Sequence, residues 1–354
     1  MIKNNQKCIV FYLVGLFLLG FCSQRFVYAS PGNDKYGYID DAGNIVIEAQ
    51  FDKALQFSEG LAPIAIGKKW GYIDRKGTFI IVPKFLSAYP FNKGIATVAE
   101  ESERDPMGYQ VGCIDKTGKT IIEPFTSMGI RFSESLAPFF DAESDKVGYI
   151  DTKGHVVIAP RFDDAGPFSE GLANVYYNEK NGYADKTGQV VFSVDFEEIG
   201  SFSEGLAWFE NSDFKYGYID KTNKVVIAPQ FESTYGFFEG LASVEIGGKW
   251  GFVDKGGKVV IPARFDWVEN FSEGMAVVEI EGKLGYINKA GELAIPPKFG
   301  YARSFSEGLA SVSLDNKYGF VDKAGEMVIE PQFGYVGNFS EGLAYFGSVP
   351  GPPD

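Results

Sequence analysis

Eight glutamates recur at one place in this 354-residue chain: Glu59, Glu134, Glu170, Glu204, Glu239, Glu273, Glu307 and Glu341, each in an F-S-E-G-like segment, with Lys93 in the second copy. Paired carboxylates can run a glycosidase, and clustered carboxylate oxygens can bind Ca²⁺. A single active site does not need eight copies, and each nearby D-x-x-G segment brings only one acid, so turn capping accounts better for both. Gly118-Lys119-Thr120 has the ending of a phosphate-binding loop, but that loop needs G-x-x-x-x-G-K-[ST] between a strand and a helix. Gly112 leaves five intervening residues, and a strand pattern follows. His155 is the sole histidine, so a His-based triad or zinc site would have to use it. The other copies have Asn44, Thr78, Lys119, Gln189, Lys224, Lys258, Glu292 and Glu326 in its place, which marks an exposed hairpin position. Cys113 replaces the Tyr or Phe of the other copies and reads as a small buried residue rather than a nucleophile. These residues define no catalytic set, metal site or cofactor.

One position points to binding instead. Sixteen residues after a recurring Gly the copies read Lys53, Ser87, Met128, Asp164, Glu198 and Ser233, then Trp267, Tyr301 and Tyr335. A position that ranges from Lys to Glu is expected to be exposed. Its three aromatic occupants, 34 residues apart, would stand in a row. Such rows suit sugar rings or partner side chains. The competing reading is that they pack on one another or shield the end of an array.

The elements that must position these residues are repeats. The Gly of a G-[YFC]-[IVA]-[DN] motif occurs nine times, at Gly37, Gly71, Gly112, Gly148, Gly182, Gly217, Gly251, Gly285 and Gly319. A Phe follows 20 residues later in every copy, from Phe57 to Phe339, whereas the gap from that Phe to the next motif varies from 14 to 21 residues. Insertions therefore fall in one connection, the longest between Glu100 and Gln110. Trp70-Gly71-Tyr72-Ile73-Asp74 and Phe79-Ile80-Ile81-Val82 read as strands around a D-x-x-G hairpin turn. Leu241-Ala242-Ser243-Val244-Glu245-Ile246 supplies a third strand. Each unit is thus expected to be a three-stranded meander of about 34 residues, too small to stand alone. Consecutive apolar residues such as Val225-Val226-Ile227 suggest strands covered on both faces. The motif Gly leaves room for a ring, with Phe57 and its equivalents as candidates.

Lys69-Trp70-Gly71-Tyr72-Ile73-Asp74 and Lys249-Trp250-Gly251-Phe252-Val253-Asp254, each followed by V-V-I-x-P-x-F-like and F-S-E-G-L-A-like segments, resemble the WG-containing (KWG) repeats of bacterial proteins. The resemblance covers residues 35 to 346, although Trp itself is kept only at Trp70 and Trp250. It implies an all-β repeat module, usually exported, and brings no catalytic residues.

The remaining sequence sets the compartment and the partners. Lys3 and Lys7, an apolar run from Ile9 to Phe21 and Val27-Tyr28-Ala29 form a signal peptide over residues 1–29. The array then occupies 30–346, a short Pro/Gly-rich tail follows over 347–354, and the mature chain is expected to be exported without a membrane span. Its net charge of −14 becomes −17 without the leader's three cations, which excludes sequence-independent grip on nucleic acid. Cys113 alone survives cleavage, so no intrachain disulfide is expected. The expected architecture is all-β: nine meanders stacked as an open solenoid or superhelix. The alternative is a closed propeller-like ring, because Leu343-Ala344-Tyr345-Phe346 is the strand that would precede Tyr36. The expected function is a non-catalytic exported scaffold that binds a protein or a cell-wall polysaccharide, with Trp267, Tyr301 and Tyr335 as binding residues. A carbohydrate-active enzyme using the repeat acids is the alternative.

Overall fold

A computed structural model describes residues 35–103, 108–126 and 130–348. The expected leader, Met128 and nearly all of the tail lie outside these residues. Strands and turns make up the described chain. Blade one shows the pattern, with strands Lys53–Ala54, Leu61–Ile66, Lys69–Asp74 and Phe79–Phe85 hydrogen-bonded in that order, all antiparallel. Blades two to eight repeat it over residues 87–126, 136–162, 164–194, 198–231, 233–265, 267–299 and 301–333, blade three with three strands among the described residues. The blade is therefore a four-stranded sheet. The short first strand escaped sequence reading because two residues after the Phe of V-V-I-x-P-x-F carry no pattern of their own.

Blade nine is shared between the two ends of the chain. Tyr335–Val336 pairs with Ala344–Gly347, which pairs with Tyr36–Ile39, which pairs with Ile45–Phe51. The expected open solenoid is thus replaced by a closed ring of nine blades, a β-propeller. The reason is edge pairing. An open array would expose the backbone of its terminal strands, whereas the ring pairs them with each other, Tyr36 with Gly347.

Local chemistry explains each turn. Asp74 Oδ1 accepts from the amides of Lys76 and Thr78, both at 2.9 Å, closing the D-x-x-G turn that the sequence announces. The fourth strand then bulges, pairing Ile81 with Tyr72 and Phe85 with Trp70. The bulge brings its backbone so close that a Cβ on Gly71 would lie 2.4 Å from the Ile81 carbonyl oxygen. The motif Gly is required by backbone first, and a ring also presses on it at Gly148 and Gly217, where a Cβ would lie 3.0 Å from Phe139 and Phe209 rather than from the expected Phe. The expected Phe partner is instead the aromatic that follows the Gly: Phe57 meets Tyr38 edge-on at 4.8 Å, and Phe168 meets Tyr149 at 4.8 Å.

The core lies between blades. Tyr38, Ile47 and Phe51 of blade nine interlock with Ala54, Phe57, Ala62 and Ile64 of blade one, and a comparable buried cluster fills every other seam. Each buried Tyr hydroxyl is satisfied across the seam, as in Tyr38 Oη to the Leu55 carbonyl at 2.8 Å and Tyr183 Oη to the Gly200 carbonyl at 2.7 Å. The fourth strand does not fit the expectation of two covered faces. In Val225–Phe231, Val225 and Val226 are exposed and Ile227 is buried, because this strand is the free edge of its sheet.

Candidate functional site

The repeated glutamates form a latch between successive blades. Glu59 and Gly60 lie between Ser58 and Leu61, whose backbones exchange hydrogen bonds, and both have positive φ (55° and 86°), as a two-residue type I′ hairpin requires. The Glu59 carboxylate reaches the next blade, accepting from the Gly94 amide at 2.9 Å and from Lys116 at 3.1 Å. Beside it the Ser58 hydroxyl donates to the Phe91 carbonyl at 2.6 Å. The same pair of contacts recurs at most seams, as in Glu134 to Gly171 and Lys186, Glu204 to Gly240 and Lys255, and Glu273 to Gly308 and Lys323, while Lys93 interrupts it between blades two and three. The circuit closes where Glu341 accepts from the Gly60 amide at 2.9 Å and Ser340 donates to the Phe57 carbonyl at 2.8 Å. Burial pushes the Glu59 carboxyl up, but Lys116 and the Gly94 amide outweigh it and hold the group below the ordinary range. Turn capping by these acids is therefore observed, although each caps the next blade's turn rather than its own.

The aromatic positions gather on the first-strand edges of blades seven to nine. Trp267, Tyr301 and Tyr335 are half-buried rather than exposed, whereas Lys53, Asp164 and Glu198 at the same position are exposed. Trp267 packs on the seam between blades seven and eight, against a cluster that includes Tyr286 and Ala302. Tyr301 meets Tyr318 at 5.2 Å, Tyr318 meets Tyr335 at 5.5 Å, and Tyr335 meets Tyr345 at 6.1 Å. The row is thus a packed cluster with partial exposure, since Tyr318 and Tyr345 from neighbouring strands fill the spaces between its members.

Arg303 sits in the middle of this cluster and went unnoticed in the sequence. Its Nε donates to the Tyr301 hydroxyl, and its Nη2 donates to the Tyr335 hydroxyl at 3.0 Å. Burial raises the phenols of Tyr301, Tyr318 and Tyr345 above their usual value, so they remain protonated donors. Glu269, in the same stretch of blade seven, accepts from the Ser304 amide at 3.0 Å and its hydroxyl at 2.5 Å, and burial pushes its carboxyl up. An Arg two residues after an aromatic in the row was the available signal, but it has no counterpart in the other copies.

The other candidates resolve simply. His155 is an exposed turn residue whose Nδ1 lies 3.1 Å from Asp151 Oδ2. Cys113 is fully buried, and burial pushes its thiol up to about 11, so it is protonated at neutral pH and enclosed. Lys119 of the Gly118-Lys119-Thr120 segment donates its amide to Asp115 at 3.0 Å, which makes the segment one more D-x-x-G turn. Glu134 is engaged by Lys186 and the Gly171 amide, so it is not presented as a free acid.

Fold and site together define a repeat-built β-propeller held by cross-blade latches. The chain belongs to the WG containing repeat family, whose model matches residues 36–70, 70–102, 148–180, 182–213, 216–250, 250–283, 285–318 and 318–346. The unit around Gly112 falls outside these matches. No curated protein matches the chain. Among solved structures, a eukaryotic initiation factor is similar at 12% identity and a TM-score of 0.61, over 89% of this chain and 98% of that one, which shows a shared fold. AztD from Citrobacter koseri is 12% identical over 90% of this chain and 99% of that one, with a TM-score of 0.43. BamB from Moraxella catarrhalis is 11% identical over 85% and 97%, with a TM-score of 0.42.

Proposed function

We propose that the protein is an exported, non-catalytic binding propeller that engages a protein or a cell-envelope polymer over the first-strand edges of blades seven to nine. The observation that carries this reading is the change of character along one structural position. Charged and small residues in the earlier blades give way to Trp267, Tyr301 and Tyr335 in three consecutive blades, each still partly open to solvent. A half-buried aromatic with a polar tip is a favourable interface residue because little side-chain entropy is lost on contact. The repeat acids, which an enzyme would need free, are engaged in latches between blades, and this supports the scaffold reading over the carbohydrate-active one.

The test is co-sedimentation of the mature chain, residues 30–354, with isolated cell-wall polymer across a salt series. Retention is expected, and it should be lost when Trp267, Tyr301 and Tyr335 are all replaced by Ala in a variant that still melts cooperatively. Retention unchanged in that variant would refute the edge as the binding surface. Failure of the wild-type chain to sediment at any salt would remove the polymer as ligand, leaving capture of a protein partner by the same edge to be measured.

A further inference from the structure

We propose that the Arg303 cluster is a binding site for a carboxylate-bearing sugar unit, with the guanidinium taking the carboxylate and the surrounding tyrosine rings the sugar. The inference rests on the binding reading above, which it narrows to one ligand class. Its basis is an unusual set of partners for a half-buried cation. The two hydrogen bonds of the guanidinium go to phenol oxygens, those of Tyr301 and Tyr335, and among the described residues no carboxylate pairs with it. A guanidinium carries five donors, so three of its N–H groups have no protein acceptor among the described residues. Elsewhere in this acidic chain most described ion pairs follow repeat geometry, as in Lys249 with Asp266 at 2.5 Å and Lys289 with Glu239 at 3.0 Å. At Arg303 no carboxylate lies within ion-pair distance among the described residues, and Glu269 acts on it only through space.

The nearby acid makes its hydrogen bonds elsewhere and touches the guanidinium only by its charge. Glu269 gives its Oε2 to the amide and hydroxyl of Ser304. Withdrawing a cation from water without a directly paired anion is costly, and phenol oxygens offset only part of this. An external carboxylate would supply the missing charge through a short, charge-assisted and potentially bidentate contact. The walls then choose what the carboxylate is attached to. The Arg303 Cζ stands 5.6 Å from the Tyr301 ring, and Tyr318, Tyr335 and Tyr345 continue the aromatic surface beyond it. Rings with protonated hydroxyls offer an apolar face to C–H bonds and donors to oxygens, which together match a pyranose better than an alkyl chain. The chain's net charge of −14 disfavours a long polyanion, so a terminal or isolated acidic unit is the fitting ligand.

The experiment is calorimetric titration of the full mature chain with two disaccharides that differ only at the terminal residue, glucuronate in one and glucose in the other, with sodium acetate as a third probe. The expected result is at least a tenfold preference for the acidic disaccharide over both other probes. That preference should vanish in Arg303→Gln and fall in Tyr335→Phe, which keeps the ring. If Arg303→Gln does not fold, Arg303→Lys, which keeps the charge but loses the fork, carries the same expectation. Equal binding of the two disaccharides would overturn the acid site while leaving the binding edge intact, as would acetate binding as tightly as the acidic sugar. No binding of any probe would also overturn it, whereas the binding reading fails separately, through the co-sedimentation of the aromatic variant.

Discussion

Glu59 shows how a residue can be unfavourable locally and retained for what its side chain reaches. A non-glycine residue at φ 55° costs about 1–2 kcal/mol relative to glycine, and the same strain recurs at Glu134, Glu170, Glu204, Glu239, Glu273, Glu307 and Glu341. The compensation is the charge-assisted bond to the next blade's amide and lysine. Two substitutions separate the terms. Glu59→Ala keeps the strain and loses the latch, so it should destabilise by about 1–2 kcal/mol, a value discounted because the pair is partly exposed. Glu59→Gly loses the latch but relieves the strain, and should fall between wild type and the Ala variant. Urea midpoints give the order, and a Gly variant less stable than the Ala variant would refute the account. Sequence alone exposed the regularity of these acids but not their reach. The carboxylate of one copy meets an amide 35 residues on, and nothing at a single position announces a partner at that separation. The Asp turns were readable because donor and acceptor lie within four residues.

The seam between blades two and three is where the repeated devices lapse together. Lys93 stands in place of the latch glutamate, and Thr152 stands where Lys116, Lys186 and Lys221 supply the cation at other seams. Cys113 lacks the hydroxyl that Tyr38 or Tyr72 sends across its seam. Thr97, paired with Cys113 on the neighbouring strand, substitutes by donating to the Ile130 carbonyl at 2.5 Å. The remaining bridge is weak, with Asn92 Nδ2 at 3.3 Å from the Phe132 carbonyl and Lys93 Nζ at 3.5 Å from Ser135 Oγ. This element should open first, because local stability follows the density of such contacts. Restoring the pair with Lys93→Glu and Thr152→Lys together should raise stability by about 1 kcal/mol, while either change alone should not. Amide exchange of blade three should slow in the double variant, and exchange unchanged from wild type would defeat the assignment. The sequence already marked this stretch through Cys113 and the long insertion between Glu100 and Gln110. It did not distinguish a site from a weakened joint, because that distinction depends on which copies face each other across a seam.

Over the whole molecule the decisive fact is closure. The array opens on the third strand of a blade and closes on the second, an offset visible in the sequence, but stacking alone does not fix whether nine units curve into a ring. Pairing of Tyr36 with Gly347 and the contact from Glu341 to Gly60 settle it. Closure also leaves every seam buried on both sides, and this has a consequence at high pH. Tyr38, Tyr72, Tyr149, Tyr183, Tyr218 and Tyr286 are completely buried. Burial raises all six phenols above their ordinary value. Below about pH 10 these phenols are neutral in both folded and unfolded chains and contribute no pH dependence. Above it the unfolded chain releases protons that the folded chain holds, so stability must fall as pH rises. Each phenol contributes about 1.4 kcal/mol per pH unit, and six together about 8 kcal/mol. A domain stability of about 5–15 kcal/mol is exceeded within one to two units. The ring should therefore unfold cooperatively between about pH 10 and 12, with Tyr177, whose phenol Arg161 holds below its ordinary value, ionising ahead of it and the last rise in phenolate absorbance following the loss of β-sheet circular dichroism along one curve. Ionisation of every tyrosine, the six seam phenols included, while the sheet signal persists would mean that the seams admit water and that the blades do not pack as a closed ring in solution.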